Sequence, residues 1–98
     1  MKTSTVLKRA LRLLDGGRRW IKGNGRGSKR GVRGVCYCVI GAMDKVAEGA
    51  FMPACSVFDK AIGTNETAHW NDAPHRRWSH VEAAFKRAIK LAEKEERR

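Results

Sequence analysis

The sequence SHVEAAFKRAIKLA, residues 79–92, carries an apolar face at helical spacing. Its apolar members recur every three or four residues, as Val81, Ala84, Phe85, Ala88, Ile89 and Ala92. Ser79 and Glu82 have the spacing of a capping box, which places the start of the helix at Ser79. An apolar face of this kind must be covered by other elements of the fold, and the patterns upstream of it are helical too.

Three more helices are predicted upstream. The first begins with Ser4 as its N-cap and ends at Leu14, because leucines recur there at helical spacing. Residues 35–47 are apolar almost all round, which is typical of a helix buried on most sides. Pro53 suits the first turn of a third helix that ends at Gly63. We therefore expect a mainly α-helical fold, a compact bundle of about four helices.

The length of the chain indicates one domain. With 98 residues, a second independent core is not expected, so residues 1–98 are assigned to a single domain. Residues 93–98 are strongly charged and are expected to fray into solvent as a C-terminal tail. No apolar run approaches the roughly 18 residues that a membrane span needs, so no membrane partner is expected.

Residues 16–34 form a basic, glycine-rich loop after the first helix. They contain seven glycines and seven cations, with few large apolar side chains to support them. Asn24-Gly25 is a type I′ turn signal, so residues 20–22 could pair with residues near Val32 in a short β-hairpin. The same composition is also typical of a mobile arginine- and glycine-rich arm that orders on contact with a phosphate backbone, or of a disordered loop with no partner.

Positive charge is concentrated at one end of the sequence. The first 43 residues contain eleven Lys and Arg but a single acid, Asp15, which gives them a net charge of +10. Residues 44–98 contain ten cations and nine acids, a net charge of +1. A surface of one sign favours a polyanion, because it releases the counterions condensed on phosphates. The candidate nucleic-acid-binding residues are Arg18, Arg19, Lys22, Arg26, Lys29, Arg30 and Arg33, with Arg76 and Arg77 as a possible secondary set.

The cysteines and histidines are the side chains that could bind a metal ion or act as a nucleophile. The potential ligands are Cys36, Cys38, Cys55, His69, His75 and His80. Cys36 and Cys38 are separated by one residue, whereas structural zinc sites use two to four, so no metal is predicted. A thiol nucleophile assisted by His69 is the less favoured enzymatic alternative, and no catalytic residue is assigned. With an odd number of cysteines we expect free thiols in a reducing cytoplasm.

Three short motifs lie in order along the chain. The first is Trp20 after the opening helix, the second is Cys38-Val39-Ile40-Gly41-Ala42, and the third is Trp70-Asn71-Asp72, two residues before Pro74. In this order and spacing they resemble a family of short bacterial and phage proteins of unknown function. Taken alone, the last of these is typical of an Asx-type turn with Trp70 as an apolar anchor. The resemblance implies a compact helical domain often encoded by mobile elements, with Trp20, Cys38, Gly41, Ala42, Trp70, Asn71 and Asp72 as its structural motif.

These observations favour a small, basic binding protein over an enzyme. The predicted partner is DNA or RNA, or a nucleoprotein complex, bound through the N-terminal half without a cofactor, in the cytoplasm of the cell or of a phage's host. A phage-type inhibitor is the alternative: the same cations could dock on an acidic surface of a host or defence protein. No feature of the sequence indicates an oligomeric state.

Overall fold

The computed structural model describes residues 1–98 and is mainly α-helical, as predicted. Its five helices are α1 (Thr3–Leu13), α2 (Val39–Val46), α3 (Phe51–Ile62), α4 (Thr67–Asp72) and α5 (Trp78–Glu96). A 3-10 turn, Asp15–Gly17, follows α1, and strands β1 (Arg26–Lys29) and β2 (Val32–Tyr37) form a two-stranded antiparallel sheet before α2. No helix combines the length and apolar character needed to cross a membrane.

The core lies between α1, α2, α3 and α5. Its largest fully buried side chains include Leu7 and Leu14 of the N-terminal region, Met43 of α2, Phe58 of α3 and Phe85 of α5. The Phe58 and Phe85 rings meet edge to face with centroids 5.0 Å apart, a favoured arrangement for aromatic pairs. The apolar faces that the sequence predicts for α1, α3 and α5 are therefore the faces that pack.

The α3 boundaries agree closely with the sequence signals. Pro53 lies in the first turn, where its missing N–H has no intrahelical partner to lose. Gly63 is the C-cap and has φ of 76°, a left-handed conformation that glycine adopts without strain. The additional helix relative to the predicted four is α4, whose last residues, Asn71 and Asp72, were expected to form a turn. It ends at Asp72 because Ala73, which precedes Pro74, is extended.

Three boundary predictions are wrong. Residues 35–37 belong to β2, so the buried helix begins at Val39 with Cys38 as its N-cap. The first helix begins at Thr3, and Ser4 caps nothing within it. The last helix has Arg77 as N-cap in place of Ser79, and the Nδ1 atom of His80 accepts the Arg77 N–H at 3.0 Å.

The two ends of the chain are joined by side-chain contacts. The backbone N–H and the hydroxyl of Ser4 donate to the Glu96 carboxylate at 3.0 and 2.6 Å. One helical turn further in, Lys8 forms an ion pair with Glu93 at 3.0 Å. Residues 93–96 are thus helical and in contact with α1, which argues against the fraying expected for residues 93–98.

The hairpin exists, but not with the predicted strands. Arg26 pairs with Tyr37 and Lys29 with Val32, so the tip is Arg30-Gly31, where Gly31 has φ of 78°. Asn24-Gly25 is not the turn, since Gly25 does not have the positive φ that a type I′ turn requires. The pairing of residues 20–22 with residues near Val32 is also wrong: Trp20 makes an isolated parallel bridge to Tyr37.

Candidate functional site

The buried side chain of Asn71 holds together the two segments that flank the basic hairpin, which is defined as residues 26–37. Its Oδ1 atom accepts the Trp20 Nε1–H at 2.7 Å and the Val39 N–H at 3.2 Å. Its Nδ2 group donates to the carbonyl of Ile21 at 3.1 Å and to Asp72 Oδ1 at 2.8 Å. Asn71 is fully buried, so this satisfied network ties the segment before the hairpin to the start of α2.

Backbone groups of Gly23 and Gly25 form hydrogen bonds that hold residues 23–25 in place. Asp72 Oδ1 accepts the Gly23 N–H at 2.8 Å, and the Gly25 carbonyl accepts the Cys38 N–H at 3.2 Å. A Cβ atom on Gly41 would lie 1.7 Å from that Gly25 oxygen, which is why α2 has a glycine at this position. The motif residues Trp20, Cys38, Gly41, Asn71 and Asp72 therefore meet at one junction.

The remaining motif residues support the junction from the core. Ala42 is fully buried in α2. Trp70 is half-buried and meets Phe58 edge to face with centroids 5.7 Å apart, in keeping with its predicted role as an anchor. The glycine-rich segment, for which the sequence also allows a mobile arm, thus contains a paired hairpin. Two hydrogen bonds join this hairpin to residues 19–21: Tyr37 N–H donates to the Arg19 carbonyl, and Ile21 N–H donates to the Tyr37 carbonyl.

Four of the seven candidate cations make contacts within the protein. Arg19 Nη1 donates to the carbonyls of Arg33 and Val35 at 2.6 and 3.3 Å. Lys22 Nζ donates to the Ala73 carbonyl at 2.8 Å, and Lys29 Nζ donates to two carbonyls, those of Gly17 and Trp20, at 3.1 and 3.0 Å. Arg18 lies 3.5 Å from the Asp15 carboxylate in an exposed pair.

The other three cations are unpaired. Arg26, Arg30 and Arg33 are exposed on the basic hairpin and make no side-chain hydrogen bond or ion pair. No aspartate or glutamate occurs in residues 16–43, so their charge is not offset along this segment. Arg19, Lys22 and Lys29 are instead held against backbone carbonyls. The arrangement is a cationic hairpin with three arginines available to an anionic ligand.

The secondary candidates have structural roles. Arg76 Nε donates to the Trp70 carbonyl at 2.7 Å, and its guanidinium lies 4.1 Å from the centroid of the Trp70 ring. Arg77 is the N-cap of α5 and is exposed. Arg76 is therefore already occupied by a cation–π contact and a hydrogen bond, whereas Arg77 has a side chain open to solvent.

The cysteines and histidines do not gather into one group. Cys36 and Cys38 are buried, and Cys38 Sγ accepts the Gly41 N–H at 3.4 Å. Cys55 shares a groove of about 300 Å³ with His69 and Asp59. Burial, together with the negative charges of Asp59 and Asp44, raises the pKa of the Cys55 thiol to about 11, so it is protonated at neutral pH. No three His, Cys, Asp or Glu side chains are placed to hold a metal ion.

A second cationic surface was missed in the sequence. Lys60 of α3 and Arg87, Lys90 and Lys94 of α5 line a shallow cavity of about 320 Å³. The spacing of the three α5 cations places them on one helical face, which is a signal that could have found them. Acidic residues elsewhere in residues 44–98 bring the net charge of this half to +1, so the net charge does not indicate the local excess of cations on α3 and α5.

The fold and the junction define a small helical domain that carries one basic hairpin. A family model, Family of unknown function (DUF6197), matches residues 1–91, so the chain belongs to that family. No curated protein and no solved structure matches the chain.

Proposed function

We propose that this protein binds nucleic acid without catalysing a reaction, through contacts between the basic hairpin and the phosphate backbone. The observation that carries the proposal is the presence of three exposed, unpaired arginines, Arg26, Arg30 and Arg33, on a segment free of acidic residues. Guanidinium groups suit phosphate because their N–H donors form charge-assisted, often bidentate hydrogen bonds.

The junction at Asn71 supports the proposal. A phosphate-binding surface gains when its cations are presented by a rigid element, because less conformational freedom is lost on binding. Here Arg19 and Lys29 hold the hairpin in position, because each donates hydrogen bonds to backbone carbonyls. Their charges still add to the attractive field, while the three unpaired arginines make the contacts.

The test is the salt dependence of binding to labelled single-stranded and duplex oligonucleotides, measured by fluorescence anisotropy. Each phosphate contact adds about 0.7 to 0.9 to the slope of log affinity against log salt. The triple variant R26A/R30A/R33A should lower that slope by about 2 to 3 and weaken binding to all sequences alike. Its melting temperature should barely change, because these exposed side chains make no hydrogen bond or ion pair within the protein. Lys29 is left intact because it braces the hairpin.

The matched control is K86A/K90A/K94A, which removes the same charge from exposed positions of α5. We expect it to leave the salt slope close to that of the wild type. An equal fall in both variants would contradict a specific role for the hairpin and attribute binding to net charge or to the second cationic surface, which contains Lys90 and Lys94. If no oligonucleotide binds, but one acidic host protein co-purifies after nuclease treatment, the inhibitor alternative replaces this proposal.

A further inference from the structure

A pocket of about 380 Å³ opens beside the base of the basic hairpin, within the range of roughly 300 to 1,000 Å³ that holds small ligands. It lies between the hairpin and the helices α2 and α3. Its lining includes the apolar and aromatic side chains of Tyr37, Ile40 and Phe51. Asp44 adds a carboxylate, and two cations also line the pocket, Lys45 of α2 and Arg26 of the hairpin.

Several polar side chains of the pocket lack partners within the protein, among them Asp44 and Tyr37, which are not cations. The Asp44 carboxylate is exposed, accepts no hydrogen bond and forms no ion pair. Tyr37 is only 6% exposed, yet its hydroxyl has no protein hydrogen-bond partner. Because no enclosed polar side-chain atom lacks a partner, the Tyr37 hydroxyl must reach solvent-accessible space. An aromatic and apolar pocket with a few unpartnered polar groups is the usual form of a small-ligand site.

We propose that this pocket receives one guanine base of a single-stranded nucleic acid. The inference rests on the proposed function, since the strand's phosphates would lie on the hairpin. Arg26 connects the two sites, because it belongs both to the unpaired arginines and to the pocket lining. Unstacked bases of single strands are commonly bound against aromatic side chains and read along their Watson–Crick edges. In a duplex that edge is paired and could not reach the pocket.

The Asp44 carboxylate selects the base. An ionised carboxylate only accepts hydrogen bonds, through two oxygen atoms. Guanine presents two adjacent donors on its Watson–Crick edge, N1–H and the 2-amino group. Adenine and cytosine each place one amino donor beside a ring-nitrogen acceptor, and thymine and uracil flank their single N–H with carbonyl oxygens. Those acceptors face the carboxylate unfavourably, so guanine is the base that it accommodates best.

The experiment compares three fluorescein-labelled oligonucleotides of equal length by anisotropy at low salt. One is oligothymidylate, the second carries a single central guanine, and the third carries inosine there, which keeps N1–H but lacks the 2-amino group. The wild type should bind the guanine strand about tenfold more tightly than oligothymidylate, since a bidentate contact discriminates bases on that order. The inosine strand should lose much of this affinity advantage over oligothymidylate.

The variant Asp44→Asn should bind the guanine and thymidine strands equally. Glu48→Gln is the control, because it removes the same charge from an exposed residue outside the pocket and should retain the wild-type preference. Equal binding of all three strands by the wild type, or a preference that survives in Asp44→Asn, overturns the guanine pocket and leaves phosphate binding in place. If no strand binds at all, the proposed function fails together with this inference.

Discussion

At the scale of single residues, Gly41 and Gly25 are in contact, but only Gly25 has room for a Cβ atom. Gly41 lies inside α2, where alanine would ordinarily stabilise a helix by about 1 kcal/mol. The space that its Cβ would need is filled by the Gly25 backbone, which cannot turn aside as a flexible side chain could. The steric cost therefore outweighs the helix propensity.

Replacement of Gly41 by alanine should thus destabilise the protein by about 1 to 3 kcal/mol, the usual cost of overpacking. Urea unfolding followed by circular dichroism measures the change. Gly25→Ala is the matched control, because its Cβ would meet nothing within 4 Å, and its effect should stay within about 0.5 kcal/mol. A stabilised Gly41→Ala variant would show that the hairpin base can withdraw from α2 at little cost.

The second prediction at this scale concerns Asn71. Asn71→Asp keeps an oxygen for Trp20 and Val39, but it replaces the Nδ2 donor by an acceptor facing the Ile21 carbonyl and the Asp72 carboxylate. Because the site is fully buried, we expect a loss of about 3 kcal/mol in unfolding free energy, measured by Trp fluorescence in urea. Asp72→Asn, at the adjacent exposed position, should cost much less. Equal effects would mean that Asn71 is not the centre of the junction.

At the scale of elements, the junction between α1 and α5 should be sensitive to acid. The hydrogen bonds from the Ser4 hydroxyl and N–H hold the pKa of Glu96 below its ordinary 4.5. A carboxylate whose pKa is lower in the folded state stabilises the protein above the unfolded-state pKa, and that stability is lost as the pH falls through the folded-state pKa. The effect should be small, under about 1 kcal/mol, because Glu96 is exposed.

The melting temperatures of the wild type and Glu96→Gln should therefore differ most near neutral pH and converge below about pH 4. Glu95→Gln is the control, since Glu95 makes only an exposed ion pair with Lys60 at 3.4 Å. A difference for Glu96→Gln that stays constant down to about pH 3 would contradict the role of its ionised form.

How far the sequence predicts these elements depends on whether their signals are local. The boundaries of α3 follow from Pro53 and Gly63, whose backbone preferences act within one turn. The sequence predicts a helix for residues 35–37, because they belong to a continuous apolar run and such a run has no periodicity that separates strand from helix. They are a strand because they pair with β1. The sequence of residues 35–37 alone does not indicate that pairing.

At the scale of the whole molecule, the sequence alone predicts the charge asymmetry. It does not indicate which of the cations are free to bind a ligand. Lys22 and Lys29 look equivalent to Arg26 and Arg30 in the sequence. They differ because the fold brings backbone carbonyls of distant residues to the two lysines and none to the two arginines. The sequence thus predicts a candidate site in this segment from its charge, while the division of its cations into bracing and unpaired ones required the tertiary structure.

The bonds at Asn71 and Asp72 also determine when, during synthesis, the basic half of the chain can become fixed in place. Trp20 is separated from Asn71 by 51 positions, and Gly23 from Asp72 by 49. A ribosome makes about 5 to 20 residues per second, so the basic half of the chain exists for several seconds before its anchor is made. Contacts between distant residues also form late, because a long loop must close first. The segment with nearly all of the net positive charge is therefore translated before the residues that fix its position.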